Sequence, residues 1–347
     1  MKLAVFSAKS YDRTYLDQVL GEQFARLGSI EYYAFPLSEE TVPLVKGCDA
    51  VCVFVNDTLH EPVLRALHAG GVRAVLLRCA GFNHVDLKTA EALGLFVANV
   101  PAYSPEAVAE FAVALIQTLN RKTHRAYNRV REGNFNIEGL LGTTLHGKTV
   151  GIVGVGRIGL AAARIFHGFG CRLLAHDPFA GEEFRQYGTL VDLDRLLQES
   201  HIISLHCPLT EDTRHIIKSS TLSRVRPGAL LVNTSRGGLI DGTAVMEALK
   251  THRLGGLALD VYEAEGGLFY NDHSGEIIDD DVLMRLMTFP NVIICSHQGF
   301  FTHEALTEIA TITLRNWADL VDGRSCPNSL VTEGHVLVRA DTAPVRL

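Results

Sequence analysis

The chain has 347 residues, beyond the ~250–300 at which one hydrophobic core usually stops growing, so about two domains are expected. Hydrophobic residues make up 47% of it and charged residues 20%, which excludes wholesale disorder. Lys and Arg number 32 against 39 Asp and Glu, a net charge of −7 with no long basic block; this argues against nucleic acid, and no apolar run approaches the ~18 residues of a membrane span.

The opening MKLAVFSAKSYDRT carries an apolar stretch too short for a secretory signal and reads as a first strand. Residues 2–7, 50–54, 74–77 and 95–98 read as strands, with helices at 61–69 and 86–93 between them. Such alternation predicts a parallel sheet with helices on its faces. The texture changes at Pro101. Residues 105–131 carry the longest helical pattern, with Pro105 at its first position, Glu106 and Glu110 at its positive end, and apolar positions 108, 111, 112, 115, 116 and 119 at helical spacing. Its basic second half reads as a solvated, dipole-complementing face. A second alternating series follows, with strands at 149–153, 171–176, 202–205, 229–233, 256–259 and 292–295 and a final amphipathic helix over 302–321. The tail after Val331 has a weak pattern, is expected to be mobile and is assigned no role.

The seven cysteines are odd in number and scattered, mostly in apolar runs, which is not a disulfide framework. Cys48 and Cys52 lack the spacing and the histidines of a zinc site, so no metal is expected. Reduced buried thiols point to a cytoplasmic enzyme.

Residues 154–159, Gly-Val-Gly-Arg-Ile-Gly, follow a strand and open a helix. Gly154 permits the tight turn, Gly156 lets a pyrophosphate approach the backbone, and Gly159 allows close helix–strand contact. The next strand ends in Asp177, 18 residues after Gly159, where a carboxylate takes the ribose hydroxyls of NAD. Arg157 is a candidate for the phosphates. In open parallel sheets ligands bind at the carboxyl ends of the strands. There the sequence places His206-Cys207-Pro208, Thr234-Ser235-Arg236, Asp260 and the following VYEAE, and Ser296-His297. A 2-oxo acid needs a forked cation for its carboxylate, which Arg236 offers. Its carbonyl needs a proton donor, for which His297 is the candidate, and either Glu263 or Glu265 could favour the charged imidazole.

These motifs resemble the D-2-hydroxyacid dehydrogenase family over about residues 1–331, most closely its fermentative D-lactate branch. The resemblance rests on RCAGFNHVDL (78–87), VPAYSPEAVAEF (100–111), GVGRIG (154–159), SLHCPLT (204–210), NTSRGGLID (233–241), DVYEAE (260–265) and the segment from His297 to Phe300. It implies an α/β protein of two doubly wound parallel-sheet domains. Residues 1–100 and 299–347 form a flavodoxin-like substrate domain and 101–298 a Rossmann domain for NAD, with hinges near Pro101 and Gly299. It further implies that Arg236 binds the substrate carboxylate, His297 donates the proton and Glu265 orients and charges it. The N–H groups of Ala80 and Gly81 would add donors, with Tyr103 and Phe300 walling the side-chain pocket. Arg157 and Ile158 would lie at the pyrophosphate beside Gly154, Gly156 and Gly159, and Asp177 at the adenosine ribose. Cys207 and Pro208 would line the adenosine half, and Asn233, Thr234 and Asp260 would lie toward the nicotinamide. The implied activity is reduction of pyruvate to D-lactate by NADH in a homodimer or higher homo-oligomer, with much of the contact from the helix at Pro105. A relative acting on a bulkier acid such as phenylpyruvate, and an NAD-sensing binding protein, are the competing readings; Glu265, a carboxylate, argues against a formate-oxidising relative.

Overall fold

The computed structural model describes residues 1–332, 335 and 336. The rest of the tail expected to be mobile lies outside the described residues. The chain forms two compact units, Met1–Ser104 with the segment from Phe301, and Pro105–Phe300.

The first unit begins β1 (Lys2–Val5), α1 (Ser10–Gln23), β2 (Ser29–Tyr32), β3 (Ala50–Val53), α2 (Glu61–Ala69), β4 (Ala74–Leu77), α3 (Leu87–Ala92), β5 (Phe96–Ala98). The strands pair in parallel in the order β2-β1-β3-β4-β5. Central parallel strands are covered on both faces and so read as continuous apolar runs. Leu3, Val5, Ala50, Cys52, Ala74 and Leu76 form one face of the sheet in a core with Leu16 and Val19 of α1. The intervening Ala4, Val51, Val53, Val75 and Leu77 pack with Val63, Leu64 and Leu67 of α2.

The second unit contains α4 (Pro105–Arg121), α5 (Thr123–Arg131), β6 (Thr149–Val153), α6 (Arg157–Gly168), β7 (Arg172–His176), β8 (Gly188–Leu190), α7 (Leu193–Glu199), β9 (Ile202–Leu205), α8 (Ser219–Leu222), β10 (Ala229–Asn233), α9 (Gly242–Lys250), β11 (Leu254–Leu259), α10 (Asp281–Met287) and β12 (Val292–Ile294). Its seven parallel strands run β12-β11-β10-β9-β6-β7-β8. This is the doubly wound dinucleotide-binding order with one strand added at an edge, and its switch point lies between β6 and β9. The chain then returns to the first unit through α11 (His303–Val321), whose Leu314 and Trp317 complete the core under β1, β3 and β4. A short antiparallel pair, β13 (Val331–Thr332) and β14 (His335–Val336), follows.

The single helix expected over 105–131 is two. Lys122 adopts a left-handed conformation, φ 53°, and its ammonium donates to the carbonyls of Gly139 (3.0 Å) and Leu141 (2.8 Å). Arg129 likewise donates to the carbonyls of Asn136 and Glu138 at 2.8 and 2.9 Å. Lys122 and Arg129 are therefore spent on the loop that follows, and α5 has no buried residue to keep it collinear with α4. All seven cysteines are free thiols, five of them buried. No described helix is long and apolar enough to cross a membrane.

Candidate active site

The site in the second unit begins at the carboxyl end of β6, whose five residues are all buried. Gly154 follows in a left-handed conformation, φ 91°, and a Cβ there would lie 2.5 Å from the Cys207 nitrogen. Gly159 sits in the first turn of α6, where a Cβ would lie 2.1 Å from the Gly154 carbonyl oxygen. Only glycine allows the helix to start this close to the loop. The N–H groups of Gly156, Arg157 and Ile158 have no acceptor within α6, and no side chain caps that helix. They form an anion cradle that suits a pyrophosphate. Arg157 is exposed and Ile158 half-buried beside it.

Asp177 immediately follows β7. Its Oδ2 accepts the Val155 N–H at 3.0 Å and its Oδ1 the Phe179 N–H at 2.8 Å, so the carboxylate is fixed against the glycine loop. The loop, the free donors and the anchored acid fit NAD. At the end of β9, burial pushes the Cys207 thiol up to about 12, which makes it an inert wall. The carbonyl of Cys207 accepts the Ser235 hydroxyl at 2.6 Å and that of Pro208 the Thr213 hydroxyl, also at 2.6 Å.

At the end of β10, Asn233 is fully buried and shapes the next turn. It accepts the Ser235 N–H at 3.0 Å and donates to the Arg236 carbonyl at 2.8 Å. Thr234 is buried with its hydroxyl unpaired among the described residues. Arg236 is half-buried. It donates through Nη1 to the Ser235 carbonyl at 2.8 Å and meets no carboxylate among the described residues. A partly desolvated guanidinium with most of its fork uncommitted is suited to an incoming carboxylate.

The segment after β12 carries His297. Asp260, at the end of β11, clamps it. The Asp260 carbonyl accepts the His297 N–H at 2.7 Å, and its carboxylate oxygens accept the N–H groups of Gln298 and Gly299, both at 2.8 Å. Burial raises the pKa of Asp260, and the two backbone donors oppose that. This acid, expected toward the nicotinamide, is committed to backbone donors. His297 Nδ1 lies 2.8 Å from Glu265 Oε1, and Glu265 Oε2 accepts the Tyr262 N–H at 2.9 Å. Glu263 points elsewhere, to Arg214 at 2.6 Å and His215 at 2.9 Å. The geometry thus pairs Glu265 with the histidine.

Phe300 closes this unit and is buried. Ala80, Gly81 and Tyr103 belong to the other unit. Ala80 and Gly81 follow β4, and their turn is pinned by the Asn99 amide, which donates to the Ala80 carbonyl at 2.8 Å. Asn99 is itself held through its carbonyl by the Asn316 amide, also at 2.8 Å. The N–H groups of Ala80 and Gly81 donate to no described residue. Tyr103 is half-buried.

Two residues near these strand ends have no role assigned from the sequence. His206 is buried, with Nε2 2.8 Å from the Ser204 hydroxyl, and burial pushes its pKa down to about 4. Tyr270 donates to the His297 carbonyl at 3.1 Å. The run Ser204-Leu-His206 at a strand end carries a signal for the first; nothing local marks the second.

A dinucleotide cradle at the switch point of a parallel sheet, beside an acid-paired histidine and an uncommitted arginine, defines a nicotinamide-dependent oxidoreductase. Residues 113–299 match the model of the D-isomer specific 2-hydroxyacid dehydrogenase NAD-binding domain. The chain is 68% identical to the 2-hydroxyacid dehydrogenase A of Aspergillus oryzae over 100% of both chains. It is 64% identical to the D-lactate dehydrogenase kk1H of Curvularia clavata over 95% of each. The apo-structure of the Escherichia coli D-lactate dehydrogenase superposes with a TM-score of 0.88 at 48% identity, covering 95% of this chain and 100% of that one. The chain belongs to the D-isomer specific 2-hydroxyacid dehydrogenase family and is an NAD-dependent dehydrogenase.

Proposed function

We propose that the protein is a D-lactate dehydrogenase that reduces pyruvate to D-lactate. The observation that carries this reading is the 2.8 Å pairing of Glu265 with His297 in the unit that also presents the uncommitted Arg236. When bound, NADH supplies the hydride. Arg236 holds the substrate carboxylate with a charge-assisted, two-pronged contact. Because Nδ1 of His297 is taken by Glu265, Nε2 is the nitrogen that gives a proton to the carbonyl oxygen. The Glu265 carboxylate fixes the ring so that Nε2 is presented to the substrate. Asp177 accepts the ribose hydroxyls and repels a 2′-phosphate, which favours NADH over NADPH. Gly154, Gly156, Arg157, Ile158 and Gly159 hold the pyrophosphate, Cys207 and Pro208 line the adenosine half, and Asn233, Thr234 and Asp260 lie toward the nicotinamide. The N–H groups of Ala80 and Gly81 serve the carboxylate, and Tyr103 and Phe300 limit the substrate side chain. Seven free thiols support a reducing, cytoplasmic setting.

The likeness to two proteins named for D-lactate supports pyruvate over a bulkier acid. The test is a panel of 2-oxo acids, including pyruvate and phenylpyruvate, with NADH and NADPH and chiral analysis of the product. Turnover fastest with pyruvate and NADH, at ~1–10³ per second, and a D product are expected. A preference for phenylpyruvate would move the substrate; an L product or no turnover would overturn the reading.

A further inference from the structure

His297 is one of six described non-glycine residues with positive φ, at 56°, and Tyr270 is another, at 68°. A side chain bearing a Cβ is held in this conformation only by its surroundings. The two residues touch. The Tyr270 hydroxyl donates to the His297 carbonyl at 3.1 Å, and the two rings lie 5.9 Å apart at 33°. Tyr270 also ends the turn that starts at Glu265. The N–H groups of Leu268 and Phe269 both donate to the Glu265 carbonyl at 3.0 Å, and Gly267, with φ 84°, permits the reversal. One short turn therefore grips the histidine twice, at the imidazole through Glu265 and at the backbone through Tyr270. Further holds on this segment come from Asp260, which follows β11.

We propose that Tyr270 is a positioning residue for His297. Its hydroxyl fixes the histidine carbonyl in the left-handed geometry that keeps Nδ1 on Glu265 and Nε2 free to donate. Tyr270 does not touch the reacting atoms; it acts through His297. This inference rests on the reading of His297 as the proton donor.

Tyr270→Phe removes the hydroxyl and keeps the ring. With the 2-oxo acid that the wild type turns over fastest, kcat and kcat/KM should fall together by ~5–10-fold, the scale of one lost hydrogen bond, while KM stays unchanged. NADH affinity, read by fluorescence titration, should match the wild type, which also reports an intact nucleotide fold. In a His297→Gln background the same substitution should cost nothing further, because residues that act as a unit are not additive. Wild-type kcat in Tyr270→Phe, a loss confined to KM, weakened NADH binding, or a full additional loss in the His297→Gln background would each overturn the proposal. Wild-type turnover by His297→Gln alone would instead overturn the assignment of the proton donor, so the two failures are distinguishable.

Discussion

Arg236 is held by its backbone and left free at its head: Asn233 fixes the carbonyl, and the guanidinium spends one nitrogen on Ser235. That arrangement makes a sharp prediction. Arg236→Lys keeps the charge and loses the planar fork, so kcat/KM for pyruvate should drop by ~10–100-fold while NADH affinity is unchanged. Near-normal pyruvate kinetics, or a loss confined to NADH, would remove Arg236 from carboxylate binding. Glu265 offers a second test. Glu265→Gln preserves shape but removes the charge 2.8 Å from the imidazole. If that contact sets the orientation of the ring that donates the proton, kcat for pyruvate should fall by ~10–100-fold while NADH affinity is unchanged. Wild-type kcat in this variant would deny Glu265 the role.

At the level of elements, the central strands were legible because strands covered on both faces are written as unbroken apolar runs. The glycine loop was legible because its backbone demands glycine at fixed offsets. β2 and β8 were not read; both lie at sheet edges and are only partly buried. The break at Lys122 could not be read locally, since lysine carries no stop signal and the deciding carbonyls lie at Gly139 and Leu141. The choice between Glu263 and Glu265 was likewise settled by distant residues, Arg214 and His215. The strand end after β9 yields a further prediction. His206 has a native pKa lowered to about 4 by burial, against ~6.5 in an unfolded chain. Between those values the unfolded state binds more protons, so stability falls as pH drops from ~6.5 toward ~4, by about 3 kcal/mol from this residue. His206→Gln should flatten that part of the urea-midpoint profile. A slope identical to the wild type would mean that His206 is not buried neutral.

At the scale of the whole molecule, a group of strongly exposed apolar side chains among the described residues gathers in and after α5. Phe135, Ile137 and Leu141 are 74%, 80% and 89% exposed, with Tyr127 and Val130 on α5 itself. Such clusters mark association surfaces, and we propose that this arm, with α4, forms a homodimer contact. Ile137→Asp with Leu141→Asp should shift sedimentation from dimer toward monomer at micromolar concentration. A wild-type chain that sediments as a monomer would sink the assignment.

The return of α11 to the first unit has a consequence for synthesis. The ribosome delivers β1 to β5 early, yet Leu314 and Trp317, which help cover one face of that sheet, emerge more than two hundred residues after its last strand. The intervening unit draws its core from one continuous stretch and can fold as soon as it is complete. The nascent first sheet must wait with the part of that face not covered by α1 still bare. A stop codon before α11 would therefore strand a finished nucleotide-binding unit on an unfinished neighbour, a product fit for chaperones or proteases.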